Sequence, residues 1–490
     1  MSTAPTAVSA RSINARLDRL QVWSLSPSFI AIIGLGFLFT FYDIFDINVS
    51  FIQTCVSLQK GCTPETALDA LPLPVVLNLA GYVVGTLVLS PVADRIGRRN
   101  MLLFTMLITG LGSLYTAFST DYLNFTISRI VTGIGIGADL AIVNTYISEV
   151  APRRSRAKFT TVIFIMSALG AFFGIWLGLW LTTPATPWPL GLPFAVAGPG
   201  FEDGWRWMYG IGAILAVVAI LLRFELPESA RWLAQRGRLQ EADKTVAEME
   251  HRALQKGPLP EPAAAATLET SDDAGAAARA EGAKPSSSAP YRELFGNPFY
   301  LKRILLLLVM WFIGYITVYS FAAGFTAVLT SLHYAPPEAG VIAAVGTIGF
   351  VAEAVIMSFI VEKLERRVWL PIAAVVTLAG AFTVALAGTD ILIAFIGAAL
   401  IFAGFNMWVS PTYALTAELF PTRARTTGFA LVDGVGHIGG GIGVLAIAPL
   451  LPHLSVLWAL LLITSFMVVS AVIVQFTPHT RNRHLDHVSP

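Results

Sequence analysis

Apolar residues fall in twelve long runs separated by short polar joints, near 28–53, 74–93, 101–118, 123–148, 159–182, 206–225, 303–330, 338–361, 368–387, 391–417, 427–450 and 456–476. About 20 apolar residues in a helix cross the hydrocarbon core of a bilayer, so the pattern predicts an all-α membrane protein of twelve spanning helices. One long polar interval separates the sixth run from the seventh. Its first part, Glu228 to about Lys256, carries Leu239, Ala242, Val246, Met249 and Ala253 at spacings of three and four, which predicts an amphipathic helix. Its second part, Gly257 to Pro290, is mostly Ala, Pro, Ser, Glu and Gly without periodicity. Such a composition buries no core and predicts a disordered linker. The chain divides accordingly into a tail over 1–27, a six-helix bundle over 28–226, a helical segment with linker over 227–302, a second six-helix bundle over 303–477 and a tail over 478–490.

Composition agrees with the pattern. The chain of 490 residues is 55% hydrophobic and 13% charged, about half the charged fraction of an ordinary soluble protein. Placing the amino terminus inside puts all of the 32 lysines and arginines on the cytosolic side except Lys60, Arg129 and Arg206. Residues 1–27 contain Arg11, Arg16 and Arg19 and no small-residue cleavage pattern, and read as a cytosolic tail rather than a removable signal. The two cysteines exclude a disulfide-rich scaffold and a cysteine-based zinc site. Cys55 and Cys62 lie together in the first outer loop, facing the oxidising side. They are either a disulfide, which would add roughly 2–3 kcal/mol, or two free thiols at a helix end.

The stretch Arg129–Arg156 combines an apolar run with Arg129, a mid-run Asp139 and a glycine face at Gly133, Gly135 and Gly137. A charge inside a span is costly and is read first as functional. A glycine face admits either a neighbouring helix or a ligand. The stretch also repeats. Glu149-x-x-Pro152-x-x-x-Arg156 returns as Glu418-x-x-Pro421-x-x-x-Arg425, 269 positions later. The charged joint Asp94-Arg95-Ile96-Gly97-Arg98-Arg99 returns as Glu362-Lys363-Leu364-Glu365-Arg366-Arg367, 268 positions later. Two motifs at nearly one offset, each between equivalent runs, indicate a duplicated six-helix unit.

These motifs, with Pro227-Glu228-Ser229-Ala230-Arg231-Trp232 after the sixth run and its degenerate copy Pro478-His479-Thr480-Arg481, resemble the major facilitator superfamily, in its sugar-porter and metabolite:proton symporter branches. One departure is Ser90, where the family's loop usually begins with glycine. The resemblance implies two six-helix halves rocking about a midplane site, in a bacterial inner (cytoplasmic) membrane with both termini cytosolic. It implies a cytosolic gate in which Asp94 meets the positive amino-terminal end of the eleventh helix, within a network of Arg98, Glu149 and Arg156. The expected gate comprises Asp94, Arg95, Gly97, Arg98, Arg99, Glu149, Arg156, Glu228 and Arg231, and in the second half Glu353, Glu362, Arg366, Glu418, Arg425 and Asp433.

Charges within the runs suggest the coupling chemistry. Asp43 and Arg129 lie at depths of about 15 and 9 Å from the outer ends of their helices, at about 1.5 Å per residue, and can meet. A carboxyl that gains and loses contact with arginine during rocking picks up and releases a proton. Phe41-Tyr42-Asp43 resembles the Gly-Tyr-Asp segment of proton-coupled sugar porters, and Arg129 matches their fourth-helix arginine. Thr40 stands where the metabolite branch often has a second acid. The bland reading is a static ion pair. Asp46 is expected to be wetted at the cavity mouth. Asp139, in Gly137-Ala138-Asp139, resembles a phosphate:proton symporter position and is assigned to the cavity. Trp311, Tyr315 and Tyr319, at four-residue spacing, and Asn406 complete the expected cavity lining.

His437 sits in the glycine-rich stretch from Asp433 to Gly441. The stretch resembles the Gly-Lys-x-Gly of phosphate:proton symporters, with histidine in place of the lysine that faces the anion and Tyr315 in place of an acid. A fixed cation has become a titratable one, which disfavours phosphate and suits a mono- or aromatic carboxylate. The bland reading is a neutral His437 bonded to Asp433 one turn away. The fifth and seventh runs lack the glutamines of sugar porters, and the fifth lacks the Gly-Pro of drug antiporters. No phosphate-cradling loop or histidine pair suggests ATP use, catalysis, a cofactor or a metal. The expected activity is proton-coupled uptake of a small organic anion. The alternatives are a sugar, polyol or phosphate symporter and, remotely, a non-transporting sensor. The expected partners are a small-molecule solute, protons and the lipid bilayer, with no nucleic acid, for a monomeric protein.

Overall fold

The computed structural model describes residues 9–152, 156–261, 289–421, 424–481 and 488. Twelve helices among them are long and apolar enough to cross a membrane: α1 (Pro27–Phe45), α2 (Ala67–Ala93), α3 (Arg98–Ala117), α4 (Tyr122–Ile147), α5 (Lys158–Thr182), α6 (Gly204–Arg223), α7 (Pro298–Ala322), α8 (Pro336–Lys363), α9 (Arg366–Leu386), α10 (Ile391–Glu418), α11 (Thr427–His453) and α12 (Val456–Phe476). The chain is an all-α integral membrane protein.

The duplication seen in the motifs is also a duplication of packing. In the first half α1 packs on α5, α2 on α4, and α3 on both α4 and α6. In the second half α7 packs on α11, α8 on α10, and α9 on both α10 and α12. The halves meet along two seams, α2 against α11 and α5 against α8. The glycine face of α4 serves this packing. A Cβ at Gly133 would lie 1.9 Å from the Asn78 carbonyl oxygen of α2, and one at Gly137 would lie 2.2 Å from that of Tyr82. Small residues let backbones approach this closely, so the face holds a helix and not a ligand.

Three spans are interrupted. α1 breaks at Asp46 and continues as Ile47–Leu58; α7 breaks at Ala323–Gly324 and continues as Phe325–Ser331. α2 contains a π-helical turn at Gly85–Leu89. Such breaks concentrate at functional sites because they free backbone groups and re-aim side chains.

The amino-terminal segment is more than a tail. Ala10–Asp18 forms a helix with a Ser9 capping box, and it docks on the helix Leu239–Leu254 that follows α6. That helix buries Ala242, Val246, Met249 and Ala253. Arg16 and Arg19 both reach Glu250, at 2.8 and 2.6 Å, and Arg16 also pairs with Asp243. The expected linker falls largely on 262–288, outside the described residues.

Candidate functional site

The break in α1 places two acids and one arginine together. Arg129 Nη2 donates to the Asp43 backbone carbonyl at 2.8 Å and lies 3.8 Å from Asp46 Oδ1. The guanidinium also stands over the Tyr209 ring, 5.3 Å from its centroid. The Asp43 carboxyl turns instead to α3, where the Ser113 hydroxyl donates to it at 2.8–2.9 Å. Asp46, expected at a wet cavity mouth, is wholly buried and is the side chain that faces Arg129. Neither Asp46 oxygen has a hydrogen-bond partner in the structure. Residues 43 and 46 fall on one helix face at their i, i+3 spacing, which is why both reach the same pocket.

Two residues further on, Asn48 joins the halves. Its Nδ2 donates to the carbonyls of Phe321 and Ala322 at 2.9 and 2.7 Å, and its Oδ1 accepts from the Thr326 hydroxyl at 2.6 Å. The break in α1 thus docks on the break in α7. Beyond it, Cys55 and Cys62 form a disulfide, which the sequence left open.

A second group lies at the seam of α2 and α11. The His437 ring stacks on Tyr82 of α2 with centroids 3.9 Å apart, and lies 4.0 Å from Tyr315, 5.8 Å from Tyr319 and 6.3 Å from Trp311. Tyr413 of α10 packs on Trp311 at 5.0 Å and on Phe164 of α5 at 5.5 Å. The aromatic stripe of α7 therefore faces His437, and Trp311 is anchored there by donating to the Thr416 hydroxyl at 2.9 Å. His437 Nδ1 lies 2.7 Å from the Asp433 carbonyl. A carbonyl only accepts, so Nδ1 carries the proton and Nε2 is the nitrogen that can meet a ligand. The bond to residue 433 of the bland reading is present, but to the backbone oxygen. Asp433 itself accepts from Tyr82 at 2.6 Å and from Tyr315 at 3.5 Å.

Four further expected positions move. Asp433, assigned to the gate, lies in this aromatic group, some 9 Å along α11 from its start at Thr427 at about 1.5 Å per residue. Asp139, assigned to the cavity, lies inside the first bundle. Arg223 of α6 holds it at 2.5 and 2.9 Å, and the Thr105 hydroxyl of α3 donates to it at 2.9 Å. Both charges are fully buried, so each is the other's counter-ion rather than a ligand's. Glu353, assigned to the gate, and Asn406, assigned to the cavity, find each other instead. Asn406 Nδ2 donates to Glu353 Oε2 at 2.6 Å inside the second bundle.

The remaining described residues expected at a gate lie at or just beyond helix ends. Arg98 pairs with Glu149 at 3.2 Å, and its counterpart Arg366 pairs with Glu418 at 3.5 Å and with Glu362 at 2.9 Å. Glu228 accepts from the backbone of Arg98 and Arg99 at 2.9 and 3.3 Å. Burial raises the Glu228 carboxyl above its ordinary value despite these donors. Gly97 permits the clamp. Its φ is +105°, and a Cβ there would lie 2.2 Å from the Glu228 carboxylate. In the second half the acid changes sides. Glu365, at the position of Gly97, accepts from the backbone of Thr480 and Arg481 at 3.0 and 3.3 Å, and His479, at the position of Glu228, lies 3.5 Å from it. Arg231 reaches the Glu149 carbonyl at 3.4 Å and Asp18 at 2.5 Å, and Arg99 donates to the Phe224 carbonyl at 2.5 Å. Arg95 is exposed. The side chains of Asp94, Arg156 and Arg425 lie outside the description.

Tyr82, Tyr413, Ser113, Asn48 and Arg223 carry much of this geometry and were not singled out in the sequence. Arg223 ends an apolar run, where a cation reads as a loop residue. The signal for Tyr82 is its place between Gly81 and Gly85, which mark a close helix contact.

Comparison with known proteins fits the fold. The profile of the sugar (and other) transporter family matches residues 28–490. The chain is 27% identical over 406 residues to the 4-hydroxybenzoate transporter PcaK of Acinetobacter baylyi, covering 80% of this chain and 78% of that protein. It is 34% identical over 164 residues to the D-xylose transporter of Levilactobacillus brevis, a match that spans 34% of this chain and only 32% of that protein. Among solved structures, the proton:xylose symporter XylE bound to 6-bromo-6-deoxy-D-glucose superposes with a TM-score of 0.71 at 20% identity, covering 94% of this chain and 98% of that one. The chain belongs to the sugar (and other) transporter family, within the major facilitator superfamily.

Proposed function

We propose that this protein is a secondary active transporter that takes up a small organic acid, an aromatic carboxylate, together with protons by alternating access. The observation that carries the reading is the aromatic group around His437, built from both halves. Tyr82 comes from the first half; Trp311, Tyr315, Tyr319 and Tyr413 come from the second. Rings at offset-stacked and edge-to-face distances suit a flat aromatic ligand, which buries area without many hydrogen bonds. His437 Nε2 accepts from a ligand hydroxyl when neutral and donates to a carboxylate when protonated. A site shared by two rocking halves is where alternating access requires the solute. The resemblance to PcaK over most of both chains supports the same substrate class.

Asp43, Asp46 and Arg129 supply the proton step. Two buried carboxyls three residues apart beside one cation hold one proton between them, because both charged forms repel in a low dielectric. Opening the Asn48 contact admits water to Asp46, half a turn away. Closing it restores the dry pocket against Arg129. The expected membrane is the bacterial inner membrane, with the termini and the gate cytosolic, and the expected unit is the monomer.

Quenching of tryptophan fluorescence tests the substrate class, since Trp311 and Trp408 lie in or beside the site. 4-Hydroxybenzoate is expected to quench and to be displaced by other benzoates, with D-xylose inert. Displacement by D-xylose alone would favour a sugar porter and discard this reading.

A further inference from the structure

The aromatic group contains an acid as well as a histidine, and an acid there works against an anionic ligand. Asp433 is fully buried, within the first two turns of α11. Every titratable or aromatic neighbour that faces it is neutral or can be neutral. Tyr82 of α2 donates to Oδ2 at 2.6 Å, and Tyr315 of α7 lies 3.5 Å from Oδ1. Tyr413 of α10 hydrogen-bonds Tyr315 at 3.3 Å, and Tyr319 of α7 packs on Tyr315 with centroids 5.6 Å apart. His437, on the same helix, has Nδ1 3.4 Å from Oδ1. No lysine or arginine among the described residues forms an ion pair with Asp433. The Asp43–Asp46–Arg129 group is separate from it and in the other half.

We infer that Asp433 is a second proton carrier, sited in the substrate pocket, and that the pocket accepts an aromatic carboxylate only when Asp433 is in its acid form. The inference rests on the reading of this pocket as an organic-acid site. A carboxylate ligand beside His437 meets the Asp433 carboxyl at the same ring system. Two anions in one dry pocket repel, whereas an acid and an anion attract through a hydrogen bond. Binding of the anion therefore draws a proton from water onto an Asp433 oxygen, and the proton leaves to water when the anion leaves on the opposite side. No other bond forms or breaks. With one proton at the Asp43–Asp46 pair, a monovalent anion moves with two protons and carries one net positive charge inward per cycle.

The test is binding of three ring-matched probes to the purified full chain in nanodiscs between pH 5.5 and 8.5. The probes are 4-hydroxybenzoate, the neutral 4-hydroxybenzamide and the cation 4-hydroxybenzylamine. One linked proton weakens benzoate binding tenfold per pH unit above the midpoint, and the same linkage leaves the amide flat. Asp433→Asn is expected to make benzoate binding independent of pH, and His437→Gln to keep the tenfold slope. Should Asp433→Asn fold poorly, Tyr82→Phe gives a second reading. It removes the 2.6 Å donor that favours the charged carboxylate, so the midpoint moves to higher pH. Benzoate binding that is flat with pH in the wild type, a slope that survives Asp433→Asn, or a slope lost in His437→Gln overturns the inference and leaves the organic-acid reading standing. Binding of the amine in preference to benzoate, or of none of the three probes, overturns both.

Discussion

Replacing Asp139 by asparagine would leave the Arg223 guanidinium charged and dry. Arg223 is fully buried, with Nη1 and Nη2 at 2.5 and 2.9 Å from the carboxylate and Nη1 also 2.8 Å from the Leu102 carbonyl. α1 leaves room for it with a glycine, since a Cβ at Gly36 would lie 2.0 Å from Nη2. Breaking a buried pair by removing one partner costs about 3–5 kcal/mol, because a buried charge loses its counter-ion. The amide of Asp139→Asn keeps one acceptor, so the lower end, about 3 kcal/mol, is expected. At about 1.4 kcal/mol per tenfold, that is a loss of roughly a hundredfold in the folded-to-unfolded ratio. Arg223→Met should cost as much, by stranding the aspartate. The double variant removes both charges and should be no worse than either single one. Equilibrium unfolding in mixed micelles of dodecyl maltoside and dodecyl sulfate measures all three. A single Asp139→Asn variant within about 0.5 kcal/mol of wild type, with ligand affinity lost instead, would refute the structural pairing and return Asp139 to the cavity.

Asn48→Ala removes four hydrogen bonds between the halves, each worth about 1 kcal/mol. Spin labels in the loops at 59–66 and 332–335 should then show the longer-distance state many-fold more populated; an unchanged distance distribution would deny Asn48 its clamping role. Glu250 is held below the ordinary carboxylate value. Burial opposes this, but the bonds from Arg16 and Arg19 outweigh it. Because the folded value is the lower one, the stabilisation is present above about pH 4.5, the unfolded carboxylate range, and is lost as pH falls through the folded value. Hydrogen exchange of residues 10–18 should be slow at pH 7 and rise on acidification more than in Glu250→Gln, which is expected to exchange fast throughout; equal protection in the two proteins at pH 7 would contradict the docking by these bonds.

The spans and the duplication were legible because both rest on local signals. An apolar run needs no partner to be recognised, and Arg98–Glu149 and Arg366–Glu418 repeat in space the offsets they show in sequence. The partners of the buried polar groups were not legible. A helix apolar on nearly every face has no amphipathic stripe to fix its rotation about its axis. Asp139 therefore pointed toward a cavity on paper and toward Arg223 in the fold. For the same reason Asp43 was matched to Arg129 through its side chain, whereas its backbone carbonyl takes the arginine and Asp46 takes the charge. Glu353 and Asn406 are 53 residues apart and show their pairing only once α8 and α10 are packed. The aromatic stripe of α7 was readable as a face, but Tyr82, its counterpart across the seam, belongs to the other half and has no sequence relation to it.

The central claim, that protons drive an aromatic acid through this fold, is tested most directly in proteoliposomes. Radiolabelled 4-hydroxybenzoate is followed into vesicles with an alkaline interior, with and without a protonophore. The account predicts accumulation above the external concentration, collapse of that gradient by the protonophore, and lower accumulation in Asp43→Asn and Asp46→Asn, where only the Asp433 proton still moves with the anion. Equilibration to the external concentration whatever the pH gradient, or accumulation in both variants equal to that of the wild type, would contradict it.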